Sequence, residues 1–293
     1  MSETIEGLRR RIDGASSLAS VVHAMKSLAA SNIGQYERSV AALADYYRAI
    51  TLGLTACLRQ ANPPQLPNPM HMKAIVNEVV VFGSDQGLVG RFNETIADHV
   101  LETIGDFSGK VRIWTVGEML YRQLQARGKL PETSFAVPLS VGAITPLVGQ
   151  LLFKSQLDRE QTDPMRFYLF HNQPTAGASY EPVHQQLLPL DNAWWQSIKT
   201  NQWPTRQLPG VLGDQTTTLK ALIGEFLFVS IFKACAESLA SENASRLAAM
   251  ERAEKKLNES LEQLNQTYHR LRQTNIDEEL FDVLAGFEAL VKP

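Results

Sequence analysis

Thirteen of the fourteen prolines in this 293-residue chain lie between Pro63 and Pro209, and the last is Pro293. Proline costs roughly 3 kcal/mol inside a helix. The stretches before Pro63 and after Pro209, about 60 and 80 residues, are therefore free to run as helices far longer than the globular average. At a rise of about 1.5 Å per residue they would reach roughly 90 and 120 Å, several times the width of a small domain. The sequence predicts two long helices bracketing a globular insert.

Both ends carry a seam that would hold such helices together. Ile5, Leu8, Ile12, Ala15, Ala19, Val22, Lys26, Ala29, Ile33, Tyr36, Val40, Leu43, Tyr47, Ile50 and Leu54 alternate in steps of three and four, the heptad spacing of a left-handed coiled coil. Only Lys26 breaks the apolar character. Leu247, Met250, Ala253, Leu257, Leu261, Leu264, Tyr268 and Leu271 keep nearly the same spacing, with charged residues on the other faces. Gly7, Gly14, Gly34 and Gly53, and later Gly224 and Gly286, each weaken a helix by about 1 kcal/mol relative to alanine, so tertiary pairing must outweigh them. Two readings of the pattern stand side by side. One is a plain intramolecular hairpin or bundle, and the other is a shaft that another assembly grips. Because the two helices come from opposite ends of the chain, their pairing makes an antiparallel coiled coil with the insert at one end.

The expected division is an N-terminal helix over 1–60, a linker over 61–77, an α/β domain over 78–192, a connection over 193–211 carrying Trp194, Trp195 and Trp203, and a C-terminal helix over 212–290. The net charge of −3 is too small to predict nucleic-acid or anionic-membrane binding. Cys57 and Cys235 show no CxxC or metal-ligand spacing and read as buried reduced thiols. The six histidines form no HExxH or His/Cys cluster, so no metal or cofactor is expected from them. The N-terminal MSETIEGLRRR lacks an apolar signal core, and the longest apolar run, Phe226 to Phe232, is far short of the roughly 20 residues that span a bilayer. These features predict a soluble, intracellular protein whose membrane association is indirect.

In the middle, Glu78–Phe82, Val111–Val116 and Phe167–Phe170 read as strands, with helices at Asn93–Ile104, Glu118–Ala126 and Thr145–Leu157 between them and a further edge strand at Val183–Leu190. The alternation predicts a Rossmann-like, mostly parallel sheet. Gly83, Gly87 and Gly90 follow the first strand and open a helix. Their spacing matches neither GxGxxG nor GxxxxGK[ST]. The loop is either a nucleotide cradle or a strand-to-helix turn that uses glycine for its backbone freedom.

Four segments in register resemble one family. Gly83-Ser84-Asp85-Gln86-Gly87-Leu88-Val89-Gly90-Arg91-Phe92-Asn93 resembles the S-D-R-G-L-C-G-x-x-N loop of the gamma subunits of F-type ATP synthases. Ala24 to Ser31 is similar to that family's A-M-x-M-V-A-A-S stretch, Ser241 to Met250 to its S-E-x-x-A-R-M-x-A-M run, and Arg270 to Leu280 to its K-A-R-Q-A-x-I-T-x-E-L run. The resemblance spans nearly the whole chain.

It implies a non-catalytic rotor shaft, one copy per complex, inside a hexamer of alpha and beta subunits. The α/β domain would stand against the epsilon subunit and the c-ring at the cytoplasmic face of the bacterial inner membrane, where ion flow is coupled to ATP synthesis or hydrolysis. It implies no cofactor. The family match carries rotor–stator contacts onto Met25, Lys26, Arg246, Arg272, Gln273 and Asp277, with Arg272 and Gln273 meeting an acidic catch loop on beta. It makes Gly83, Ser84, Asp85, Gly87, Gly90 and Asn93 the family loop. Leu280, Leu284 and Leu290 would belong to an apolar tip turning in an apolar sleeve. The chain departs from the pattern at Gln86, Val89 and Asp277, where the family has arginine, cysteine and threonine. It also carries fewer basic residues around the first motif, which points to a divergent branch or an alternative ATPase complex. The competing classes are a nucleotide-binding α/β enzyme and a coiled-coil scaffold that dimerises through its heptads.

Overall fold

A computed structural model describes residues 4–60, 76–159, 165–175, 179–190, 192–207, 209–210 and 213–291. The expected linker lies outside these residues except for its last two, Val76 and Asn77, which begin a strand. Helix α1 spans Ile5–Gln60 and helix α6 spans Gln215–Val291. Between them come β1 (Val76–Phe82), α2 (Phe92–Gly105), β2 (Lys110–Val116), α3 (Glu118–Ala126), β3 (Thr133–Phe135), α4 (Ile144–Arg159), β4 (Met165–Thr175), β5 (Ser179–Leu188) and α5 (Asn192–Thr200).

The heptad positions of α1 from Ile5 to Leu43 are all buried or half-buried, while most intervening residues are exposed. Leu8, Ala29, Tyr36, Ile50 and Leu54 are the most buried of the series. The glycines do not interrupt the helix. Gly53 has a packing reason: a Cβ there would come within 3.2 Å of the Leu222 side chain on α6. Asp214 starts α6 as an N-cap, its carboxylate accepting the Thr217 N–H at 2.8 Å. Gln215 donates at 2.8 Å to the Cys57 carbonyl, and Arg59 donates to the carbonyls of Lys199 and Asn201, which occupies backbone acceptors near the end of α1 and of α5.

The chain divides into two compact units, residues 1–29 with 247–293, and residues 30–246. Within the larger unit the helices run antiparallel, since Asn32 meets Asn243, Tyr46 meets Glu225 and Cys57 meets Gln215. Its sheet has the order β3-β2-β1-β4-β5, with four parallel strands and β5 antiparallel at one edge. Period-two alternation sends Val79, Val81, Tyr168 and Phe170 to a core under α2 and α3. Val80, Phe82, Phe167 and Leu169 go to the opposite core, formed with α1, α4, α5 and α6. From Phe226 to Ser245, α6 is buried on nearly all faces, with Lys233 its one exposed residue. A helix covered all round in this way is a core element.

Three differences from the sequence expectation have local causes. Strand β3 has only three residues, too few to show a period. Strands β4 and β5 extend beyond the expected apolar runs into the polar residues Asn172, Gln173 and Glu181, because a two-stranded ladder satisfies backbone groups whatever the side chain. The expected connection contains helix α5, whose Trp195 and Ile198 are buried in the core. Cys57 and Cys235 are buried free thiols, as expected. Burial pushes both thiols up, Cys235 far beyond the ordinary range.

Candidate functional site

In an open parallel sheet, ligands bind outside the carboxyl ends of the strands where the winding reverses. Here that point lies between β1 and β4, and the loop from Gly83 to Gly90 leaves β1 at this place. Its first three residues are held by the surrounding elements. Gly83 N–H donates to the Val116 carbonyl at 2.8 Å. Ser84 N–H donates to Asn93 Oδ1 at 3.0 Å, Asn93 Nδ2 donates to Ser84 Oγ at 2.8 Å, and Ser84 Oγ donates to the Gln86 carbonyl at 2.8 Å. The Asp85 carboxylate accepts the Glu118 N–H at 2.9 Å and the Val137 N–H at 2.8 Å. Asp85 thus stands at the N-terminus of α3, where its carboxylate satisfies a free backbone N–H and faces the positive end of the helix.

The glycines of the loop serve close packing and turning. A Cβ on Gly83 would lie 2.4 Å from the Leu120 Cβ. Gly90 has a positive φ of 57°, and Leu88 adopts 62° while its side chain is exposed. Gly117, with φ of 119°, lets Ser84 pass within 2.7 Å of where its Cβ would be. The loop is a clip that binds β1, α2 and α3 together.

The remaining space at the switch point is taken by α6. Glu237, Ser241 and Ser245, at steps of four on one side of that helix, each bond to the α/β domain. His171 Nε2 lies 2.9 Å from Glu237 Oε2, Ser241 donates to the Asn172 carbonyl at 2.9 Å, and Ser245 donates to the Val89 carbonyl at 2.5 Å. Asn172 in turn donates to the Phe92 carbonyl at 3.1 Å. The crevice that would hold a ligand holds a helix. Next to the ladder, Arg246 donates to Glu242 at 2.6 Å. Burial raises the Glu242 carboxyl above the ordinary range in spite of the arginine, and it raises the nearby Tyr36 phenol as well. Arg246, expected at a stator contact, is therefore engaged within its own helix.

The other expected contact residues fall in the smaller unit. Met25 and Lys26 are half-buried, and Lys26 Nζ lies 2.8 Å from Glu254 Oε2, with His23 Nδ1 3.3 Å from Glu254 Oε1. Arg272, Gln273 and Asp277 are exposed. Leu271 is the last half-buried residue of the α6 seam. Beyond it Ile276, Leu280, Phe281, Val283, Leu284 and Phe287 are all at least half exposed, from 50% to 73%. The side chain of Leu290 lies outside the described residues. The structure brings Gly83, Ser84, Asp85 and Asn93 together, and it leaves Arg272, Gln273 and Asp277 free of one another's cluster. Sequence reasoning missed Glu237, Ser241, Ser245 and His171 as a group; the four-residue spacing on α6 was visible, but nothing local named its partners.

Among the described residues no group of three or more His, Cys, Asp or Glu side chains converges as a metal site, and no helix is long and apolar enough to cross a membrane. A family model described as ATP synthase matches residues 4–290. The chain is 29% identical over 299 residues to the ATP synthase gamma chain of Granulibacter bethesdensis, covering 98% of this chain and 99% of that one. It is 24% identical to the ATP synthase gamma chain of Bacteroides fragilis, covering 97% and 98%. Its fold is similar to a chain in the rotor of the Euglena gracilis mitochondrial ATP synthase, with a TM-score of 0.62 at 15% identity over 93% of this chain and 98% of that one. It is also similar to a chain in the central stalk and c-ring of the Tetrahymena thermophila mitochondrial enzyme, with a TM-score of 0.56 at 21% identity over 80% and 99%.

Proposed function

This chain belongs to the ATP synthase family as a gamma chain, a central-stalk subunit of the F-type enzyme, and on that premise we propose that it is the rotor shaft of its complex. One copy turns inside a hexamer of three alpha and three beta subunits. The α/β domain stands against the epsilon subunit and the c-ring at the cytoplasmic face of the membrane. The chain performs no bond chemistry. Its role is to make different contacts with otherwise equivalent beta subunits, because only differential contact shifts the balance between their conformations.

The observation that carries this reading is the end of the α6 seam. Six large apolar side chains between Ile276 and Phe287 are exposed, which is the composition of a surface meant to be covered. An apolar sleeve around them would resist turning less than directional salt bridges. Arg272 and Gln273 stand just before this stretch, exposed, where a guanidinium fork can engage carboxylates of a surrounding subunit. Met25, Lys26 and Asp277 complete the proposed contacts in the same unit. Arg246 contributes through its pair with Glu242.

The nucleotide-enzyme reading is disfavoured at the switch point, where α6 packs against β4 and the loop after β1. The test is the ATPase activity of the complex co-expressed with its alpha and beta subunits. Arg272→Ala and Gln273→Ala should change turnover by about tenfold or more, the effect of a single charge-assisted hydrogen bond, while the isolated chain keeps its melting temperature. Unchanged turnover in both variants contradicts the proposed contact.

A further inference from the structure

His99 on α2 and His184 on β5 bring two ring nitrogens, Nε2 and Nδ1, to 3.0 Å from each other. Both imidazoles rest on one buried ring. His184 stacks on Phe170 with centroids 5.2 Å apart and planes 20° apart, and His99 leans against the same ring at 5.7 Å. Phe170 and His184 are direct partners in the β4–β5 ladder. His99 lies between Ile96 and Val100, which anchor α2 in the core. Two regular elements therefore fix the nitrogens, which is the condition for a defined chelate. The pair remains open to water, since His184 is exposed and His99 half-buried.

The spacing suits two neighbouring positions on one ion. Metal–imidazole bonds are about 2.0–2.1 Å long, so two tetrahedral positions on zinc would hold their nitrogens about 3.3–3.4 Å apart. Neighbouring positions at right angles, as on square-planar or tetragonal copper(II) or nickel(II), hold them about 2.9 Å apart. The observed 3.0 Å is a hydrogen-bond length that lies near both values, so the order among ions follows imidazole affinity, which peaks at copper(II). We propose that His99 and His184 form a two-nitrogen site for a tetragonal divalent transition metal, copper(II) first and nickel(II) second, with water completing the coordination.

Without metal, one ring donates its N–H to the other. Binding needs the lone pair of both facing nitrogens. The donating ring supplies it by moving its proton to its other nitrogen, so the neutral pair gains a metal without losing a proton. A bound ion would clamp α2 to β5 at the sheet edge.

The test is titration of the full-length chain with copper(II), nickel(II), zinc(II) and magnesium(II) chlorides, read by thermal unfolding, with electron paramagnetic resonance for copper. The expected result is one tight equivalent of copper whose spectrum shows two nitrogen ligands, affinity falling from copper to nickel to zinc, and no response to magnesium. Either His99→Gln or His184→Gln should weaken copper binding by at least about tenfold, while His269→Gln leaves it unchanged. Copper affinity that survives both substitutions, or a spectrum with a single nitrogen in the unaltered chain, overturns the proposal and leaves a hydrogen-bonded histidine pair. The spectrum of the unaltered chain decides the matter even if one variant folds poorly.

Discussion

Lys26 places its ammonium group 2.8 Å from the carboxylate of Glu254, so the one charged position in the α1 seam is answered by a charge of opposite sign on α6. Their hydrogen bond raises the lysine above its ordinary range and holds the glutamate below its own. A raised lysine contributes stability that is present below its unfolded value and is lost as pH climbs through the folded one. A lowered carboxyl contributes stability that is present above its unfolded value and is lost as pH falls through the folded one. The pair therefore supports the coiled coil across the neutral range and fades at both extremes. Glu254→Gln should lower the melting temperature at neutral pH, and the deficit should shrink as salt is added and vanish in acid. A deficit independent of both salt and pH would contradict this account.

Glu242 carries the opposite dependence. Its folded carboxyl titrates above the ordinary range because burial outweighs Arg246. Its contribution is thus fully present in acid and is lost as pH rises through the raised value. Glu242→Gln removes that loss, so its melting temperature relative to the unaltered chain should rise between about pH 5 and about pH 8. Calorimetry at the two pH values checks the sign of the change.

Asp85 caps two backbone donors that lie 33 and 52 residues away. Asp85→Ala leaves both N–H groups without that acceptor and should cost about 2–4 kcal/mol by urea unfolding. Nothing near Asp85 in the sequence reveals these partners. The loop could be read as a turn, but its work as a clip becomes visible only once α3 and the segment at Val137 have been brought to it.

The same limit separates what was legible from what was not. The α1 and α6 seams rest on a repeat of three and four residues, and burial follows that repeat from Ile5 to Leu43 and from Leu247 to Leu271. Strands β1 and β2 carried compact apolar runs. The three residues of β3 and the polar end of β4 are ordered by their neighbours and carried no pattern of their own. The position of Lys26 in the seam was legible, but its answer on α6 was not, because many glutamates on that helix were candidates. Among the expected contact residues, Arg272 and Gln273 could be placed by resemblance alone, since exposed side chains leave no periodic trace.

Gly83 has no room for a side chain, with Leu120 at 2.4 Å from its would-be Cβ. Gly83→Ala should destabilise the chain by about 1–3 kcal/mol through overpacking between β1 and α3. Gly87→Ala, where nothing lies within 4 Å, should cost far less, and chemical unfolding of the two variants makes the comparison.

The ladder on α6 predicts a graded effect. Ser245→Ala and Ser241→Ala each remove a buried hydroxyl donor from a backbone carbonyl of the α/β domain, so each should cost about 1–2 kcal/mol. Thr267→Ala, whose hydroxyl bonds only to its own helix at the Gln263 carbonyl, should stay within about 0.5 kcal/mol of the unaltered chain. Equal losses at all three positions would remove the ladder's role in holding α6 to the sheet.

The central claim is that this chain is the single rotor of a hexameric complex, and native mass measurement after co-expression with the alpha and beta subunits of the same genome tests it most directly. The account predicts a species of three alpha subunits, three beta subunits and one copy of this chain. A free monomer, or a homodimer that never joins the hexamer, would contradict it.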